Sequence, residues 1–208
     1  MIISVTLGIV VITTVVSVFA MNNQEFFRKT LYSPYQVFHR KEYYRLFTHA
    51  FLHAGWIHLF VNMYVLWVFG NEAESYFGLY KAGGGSFFYF LLYLGGIIFA
   101  TLPALKKHRD NFMYSSVGAS GAVSAVLFAC IAFNPTMPII FIFLPIPIPA
   151  VIFGVLYLFY EAYMDKHSSD YVAHDAHYYG AIFGVLFTFV SMPAAFLNFF
   201  SQLFGYFS

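Results

Sequence analysis

Ser120, His177, His58 and Asn62 lie in or beside apolar stretches, where polar side chains are costly, and their types suit nucleophilic catalysis. The run Gly118-Ala119-Ser120-Gly121 leads into an apolar segment, which puts the Ser120 hydroxyl at a helix N-terminus. There, free backbone amides and the helix dipole favour developing negative charge, so a serine could attack a carbonyl and have the oxyanion bound locally. Small residues at helix starts also serve simply as caps or close contacts. His177 opens a second apolar segment, with Gly180 and Gly184 on one helix face. Such glycines admit a neighbouring helix at short range. If that neighbour carries Gly121, the imidazole reaches the hydroxyl and could take the serine proton, then return it to a leaving amine. The plainer reading of His177 is a helix-end histidine at an interface. His58 and Asn62, spaced i, i+4, share a face and can both donate hydrogen bonds, either to an oxyanion or as interhelical glue.

Other groups compete for a role. His49, His53 and His58 could ligate a metal, but no glutamate follows His49 as in H-E-x-x-H, and no carboxylate placed to orient the ligand rings is apparent nearby. No metal and no cofactor are therefore expected. Asp170 and Asp175 could orient His177, but Asp175 is only two residues away and is expected to solvate its loop.

The elements that would position these groups follow from composition. The 208 residues are 61% hydrophobic and 23% aromatic, with 9% charged, far below the roughly 25% of soluble domains. That balance predicts a polytopic membrane protein of one domain, 1–208, in contact with the lipid bilayer. The net charge of +1 excludes a nucleic-acid partner, and the single Cys130 allows neither a disulfide framework nor a cysteine metal site. Six helical spans are expected, at about 2–20, 54–72, 86–104, 118–133, 150–165 and 177–196. The first is read as retained rather than as a signal peptide, because no basic residue precedes its apolar run. Residues 21–52 read as an interfacial loop with short amphipathic helices. Five prolines between Pro135 and Pro149 forbid continuous helix and predict an extended interfacial crossing. Residues 194–208 fit either a continued last helix or a surface segment.

The block from Tyr44 to Met63 (YRLFTHAFLHAGWIHLFVNM) closely resembles the first loop and second helix of the rhomboid family. Gly118-Ala119-Ser120-Gly121 and His177-x-x-Gly180-x-x-x-Gly184 resemble its other two motifs, in order and on the matching spans. The likeness extends from about residue 40 to 190. It implies an all-α, six-transmembrane-helix rhomboid-like bundle with a water-filled active site below the outer membrane face. The implied activity is that of an intramembrane serine endopeptidase, cutting membrane-anchored proteins in or near a transmembrane helix. In that reading Ser120 is the nucleophile and His177 its base, while His58, Asn62 and the Ser120 amide bind the oxyanion. Arg45 and Glu74 would brace the first loop, His49 and His53 would be hydrogen-bonding supports, and Gly118, Gly121, Gly180 and Gly184 would hold the framework. The implied partners are transmembrane protein substrates, and the expected location is a bacterial inner membrane.

Two features depart from the family pattern. Position 124 is serine where some members carry an aromatic under the catalytic histidine, so either looser packing under His177 or a substituting aromatic is expected. With the N-terminus inside, nine of the 10 Lys and Arg fall in loops facing outside, and Lys81 alone lies inside, against the positive-inside rule. An inactive rhomboid-like helix-binding protein and a metal-handling membrane protein using His49, His53 and His58 are the alternative functions.

Overall fold

In the computed structural model, residues 4–141, 144–167 and 172–207 are described. Asp170, a weighed partner for His177, lies outside them. The chain is mostly helical. Helix α1 (Val5–Met21) is followed by three short helices, α2 (Gln24–Thr30), α3 (Pro34–Arg40) and α4 (Arg45–Thr48), and a 3-10 turn at His49–Phe51. Residues 21–52 therefore form the expected short helices. Asn23 and Ser33 cap α2 and α3 by accepting from Phe26 and Gln36 amides, and α3 stops where Lys41 turns to φ 59°.

The longer helices are α5 (Trp56–Tyr80), α6 (Gly85–Lys107), α7 (Ser120–Phe133), α8 (Ala150–His167) and α9 (His174–Ser191). Among the described residues, helix α6 alone is long and apolar enough to cross a membrane by itself. Counting each bent pair as one span gives up to three: Arg45–Phe51 with Trp56–Tyr80, bent by 96°, and His174–Ser191 with Pro193–Tyr206, bent by 111°. The expected span 177–196 is thus broken. Met192 leaves helical geometry at φ −129°, ψ 74°, because the ring of Pro193 disfavours an α conformation in the residue before it. A separate helix, α10 (Pro193–Phe207), then runs off at the bend, so the tail does not continue the last span.

The proline-rich crossing is extended as expected, but it pairs with itself. Strands β1 (Pro138–Phe141) and β2 (Leu144–Pro149) form an antiparallel ladder with Pro138 opposite Pro149 and Ile139 opposite Ile148. Among the described residues, this two-stranded ladder is the exception to an all-α fold.

Helix α7 is the centre of the molecule. Every residue from Gly121 to Phe133 is buried, against α5, α6 and α9. Its small side chains permit this: Gly96 of α6 lies so close that an added methyl would sit 2.9 Å from Ala125 Cβ. Glu74 differs from its expected role. It does not brace the first loop but holds the start of α1, accepting from Ser4 Oγ (2.8 Å), Val5 N (3.0 Å), Thr6 N (3.1 Å) and Thr6 Oγ1 (3.0 Å). Amides in a first helical turn have no partner within the helix, and a carboxylate both satisfies them and complements the dipole.

Candidate active site

Gly118 holds the local geometry before α7. Its φ of +126° belongs to a region that side chains rarely adopt, and its amide donates to the His49 carbonyl at 3.0 Å. The site also has no room for a methyl, which would stand 2.9 Å from both Cε1 and Nε2 of His58 and 3.8 Å from Ser120 Oγ. The glycine thereby lets the His58 ring lie over the chain immediately before Ser120. Ser120 then begins α7, with its amide among the unpaired donors of the first turn.

Helix α9 meets α7 backbone to backbone. The Cα of Gly180 packs on the Gly121 carbonyl and that of Gly184 on the Ala125 carbonyl, one turn further along. A methyl on Gly121 would meet Ala100 Cβ and lie 3.2 Å from the Ala176 carbonyl. The neighbour of Ser120 therefore touches the neighbour of His177. Ser120 and His177 line one cavity of about 700 Å³ together with His58, Asn62, Ser124 and Tyr157. They share its wall without a direct hydrogen bond, and such bonds commonly tighten only when substrate is bound. Asn62 Nδ2 donates one hydrogen to the His58 carbonyl at 3.0 Å, which leaves its second N–H.

The supports are placed as follows. His49 Nδ1 bonds the Arg45 carbonyl at 3.0 Å, and His53 Nδ1 bonds Ser17 Oγ at 2.8 Å. The His53 and His58 rings meet edge to face at 4.8 Å. Arg45, 6% exposed, bonds Glu42 at 2.6 Å and the carbonyls of Arg28 (3.1 Å) and Leu31 (2.8 Å), which ties the first loop together.

A rhomboid-domain family model matches residues 40–194. RHOMBOID-like protein 12, mitochondrial, of Arabidopsis thaliana is 30% identical over 188 residues, 85% of this chain and 55% of that protein. The chain belongs to the rhomboid family. Two further relatives match over shorter stretches. RHOMBOID-like protein 6, mitochondrial, of Arabidopsis thaliana is 36% identical over 44% of this chain and 26% of its own length. Presenilin-associated rhomboid-like protein A, mitochondrial, of Danio rerio is 33% identical over 47% of this chain and 24% of its own length. This rhomboid thus spans about half the length of the first relative and about a quarter of the other two. Family membership makes it a membrane protein. All three names carry the word mitochondrial, so a bacterial inner membrane has no support among them.

In this rhomboid, His49, His53 and His58 do not assemble as a three-ligand set; among the described residues only Glu161, His174 and His177 do. Asp175 is corrected as well. It is buried, with 7% exposure, and accepts from the Ala176 amide at 2.8 Å rather than solvating a loop. Ser124 bonds the Tyr157 hydroxyl at 2.8 Å, so an aromatic from α8 fills the cavity wall beside the serine. The residue that sequence reasoning missed is Glu161 on α8, 3% exposed, with Oε1 3.1 Å from His177 Nδ1. The available signal was an acidic residue inside an apolar span, the same kind of signal that singled out Ser120 and Asn62.

Proposed function

We propose that this rhomboid is an intramembrane serine endopeptidase that cuts membrane-anchored proteins in or near a transmembrane helix. The observation that carries this reading is the lock between α7 and α9 through Gly121, Gly180 and Gly184, which brings Ser120 and His177 to one cavity. Ser120 Oγ attacks the scissile carbonyl while His177 takes its proton, forming a tetrahedral oxyanion. The Ser120 amide, His58 and Asn62 donate to that oxygen. His177 then gives the proton to the leaving amine, and water hydrolyses the acyl-enzyme by the same steps in reverse order.

The length of α7 supports a site below the membrane surface. Fourteen residues at about 1.5 Å each reach about 21 Å, some 9 Å short of a bilayer core of about 30 Å. With its C-terminal end at one face, Ser120 is recessed from the other, and the cavity supplies the water that lipid excludes. The same reading takes α1, α5, α6, α7, α8 and α9 as six crossings. A substrate helix must unwind locally to present its peptide bond, so helix-weakening Gly or Pro near the cut is expected.

The test compares wild type, Ser120→Ala and His177→Ala in detergent or liposomes on a single-span substrate, with and without chelator. Cleavage by wild type alone, indifferent to chelator, is the expected result. Cleavage surviving in Ser120→Ala refutes the mechanism, and a folded wild type that binds but never cuts such helices identifies an inactive helix-binding protein instead.

A further inference from the structure

Glu161 is one of only three buried residues on α8, with Ala150 and Gly154. Its two carboxylate oxygens divide between two rings of the first turn of α9. Oε1 lies 3.1 Å from His177 Nδ1, and Oε2 lies 2.5 Å from His174 Nδ1. His174 is itself buried, with 5% exposure. A carboxylate withdrawn this far from water costs several kcal/mol unless it is hydrogen-bonded, and two ring donors offset that cost.

We propose that Glu161 is a positioning residue of the catalytic group, fixing the orientation and tautomer of His177 so that the dyad with Ser120 works as a triad. The inference rests on the protease reading above. An ionised carboxylate only accepts hydrogen bonds, so the proton of a neutral His177 must sit on Nδ1. Nε2 is thereby left with its lone pair free on a ring that lines the Ser120 cavity. Without the carboxylate the imidazole can carry its proton on either nitrogen, and the tautomer protonated at Nε2 cannot accept from serine.

The same three side chains could be read as a metal site, since their ligand atoms lie within 4.8 Å of one another. The spacing argues otherwise. Two tetrahedral ligands held at about 2.0–2.1 Å from zinc stand about 3.4 Å apart, whereas His174 Nδ1 and Glu161 Oε2 are 2.5 Å apart. The two oxygens also serve different rings, which is the pattern of two hydrogen bonds. Tyr157, one turn before Glu161 on α8, bonds Ser124 of α7, so the helix carrying the carboxylate is tied to the serine helix as well.

The test uses the purified full chain in detergent, with a single-span substrate, for wild type, Glu161→Gln and Glu161→Asp. Glutamine keeps the shape and removes the obligatory acceptor. The expected result is a kcat lower by about 10²–10⁴-fold in Glu161→Gln. KM should stay within about threefold and the thermal midpoint close to wild type, while Glu161→Asp recovers at least a tenth of the lost rate. A folded Glu161→Gln with kcat within threefold of wild type overturns the proposal. Should Glu161→Gln fail to fold, ¹⁵N spectra of histidine-labelled wild type decide it, with the His177 signals assigned from His177→Ala. Nδ1 protonated is expected, and the Nε2-protonated tautomer overturns the assignment. Wild type that does not cleave refutes the protease reading, and the tautomer measurement still decides whether Glu161 sets the ring.

Discussion

Gly180→Ala is the substitution that most directly probes how the helices carrying Ser120 and His177 are held. The atom a new methyl would strike is the Gly121 carbonyl, part of the α7 backbone, and not the end of a flexible side chain. Nothing can rotate away, so α9 must retreat from α7. Restoring an ordinary separation of about 3.5 Å requires a retreat of well over 1 Å. Overpacking of this kind costs about 1–3 kcal/mol, and a midpoint moves about 2–4 °C per kcal/mol in a chain of this size, so a fall of roughly 2–12 °C is expected. The effect on cleavage should be larger. His177 lies one turn before Gly180, and a misplacement of about 1 Å between reacting groups costs about 10²-fold in rate. The assay pairs thermal unfolding in detergent with cleavage of a single-span substrate, and Gly8→Ala serves as the control. Nothing lies within 4 Å of a methyl on Gly8, inside α1, so that change should stabilise by about 0.5–1 kcal/mol and leave cleavage alone. A Gly180→Ala protein equal to wild type in both measurements refutes the claim that this contact sets the Ser120–His177 geometry.

Three further outcomes are expected. Gly118→Ala should cost about 1–3 kcal/mol for its φ of +126° and, by pushing the His58 ring aside, lower kcat at least tenfold; unchanged kcat would separate His58 from the chemistry. Glu74→Ala strips the start of α1 of its acceptor and should destabilise by about 2–4 kcal/mol without changing kcat in the protein that remains folded, as read by thermal unfolding and by cleavage per folded molecule. Arg45→Lys keeps the charge but not the planar fork that reaches Glu42, Arg28 and Leu31. Limited proteolysis should then cut within residues 21–44 several times faster, and an unaltered rate would show that the loop holds without it.

What could be read from the sequence was whatever depends on local spacing. Gly180 and Gly184 stand one turn apart on α9, and their partners Gly121 and Ala125 stand one turn apart on α7, so small-residue periodicity marked the face of α9 that a neighbour approaches, while the identity of that neighbour was a supposition. The polar tract from 21 to 52 and the prolines from 135 to 149 were legible for the same reason, since both are statements about what the backbone cannot do. Boundaries set by a single residue were harder. The apolar pattern runs through Met192 without a change, and only the ring of Pro193 turns the chain there by 111°. Roles that depend on partners distant in sequence were not legible at all. Glu74 carried no mark saying that the amides it satisfies belong to Val5 and Thr6, about 70 positions earlier. Glu161 carried none saying that its oxygens end on His174 and His177. An unpaired carboxylate in an apolar helix is so costly that its presence in the sequence announces a partner, but the identity of that partner is a property of how α8 and α9 pack. That packing is why Asp175, close in sequence, is turned onto the Ala176 amide while Glu161, sixteen residues away, reaches the imidazole.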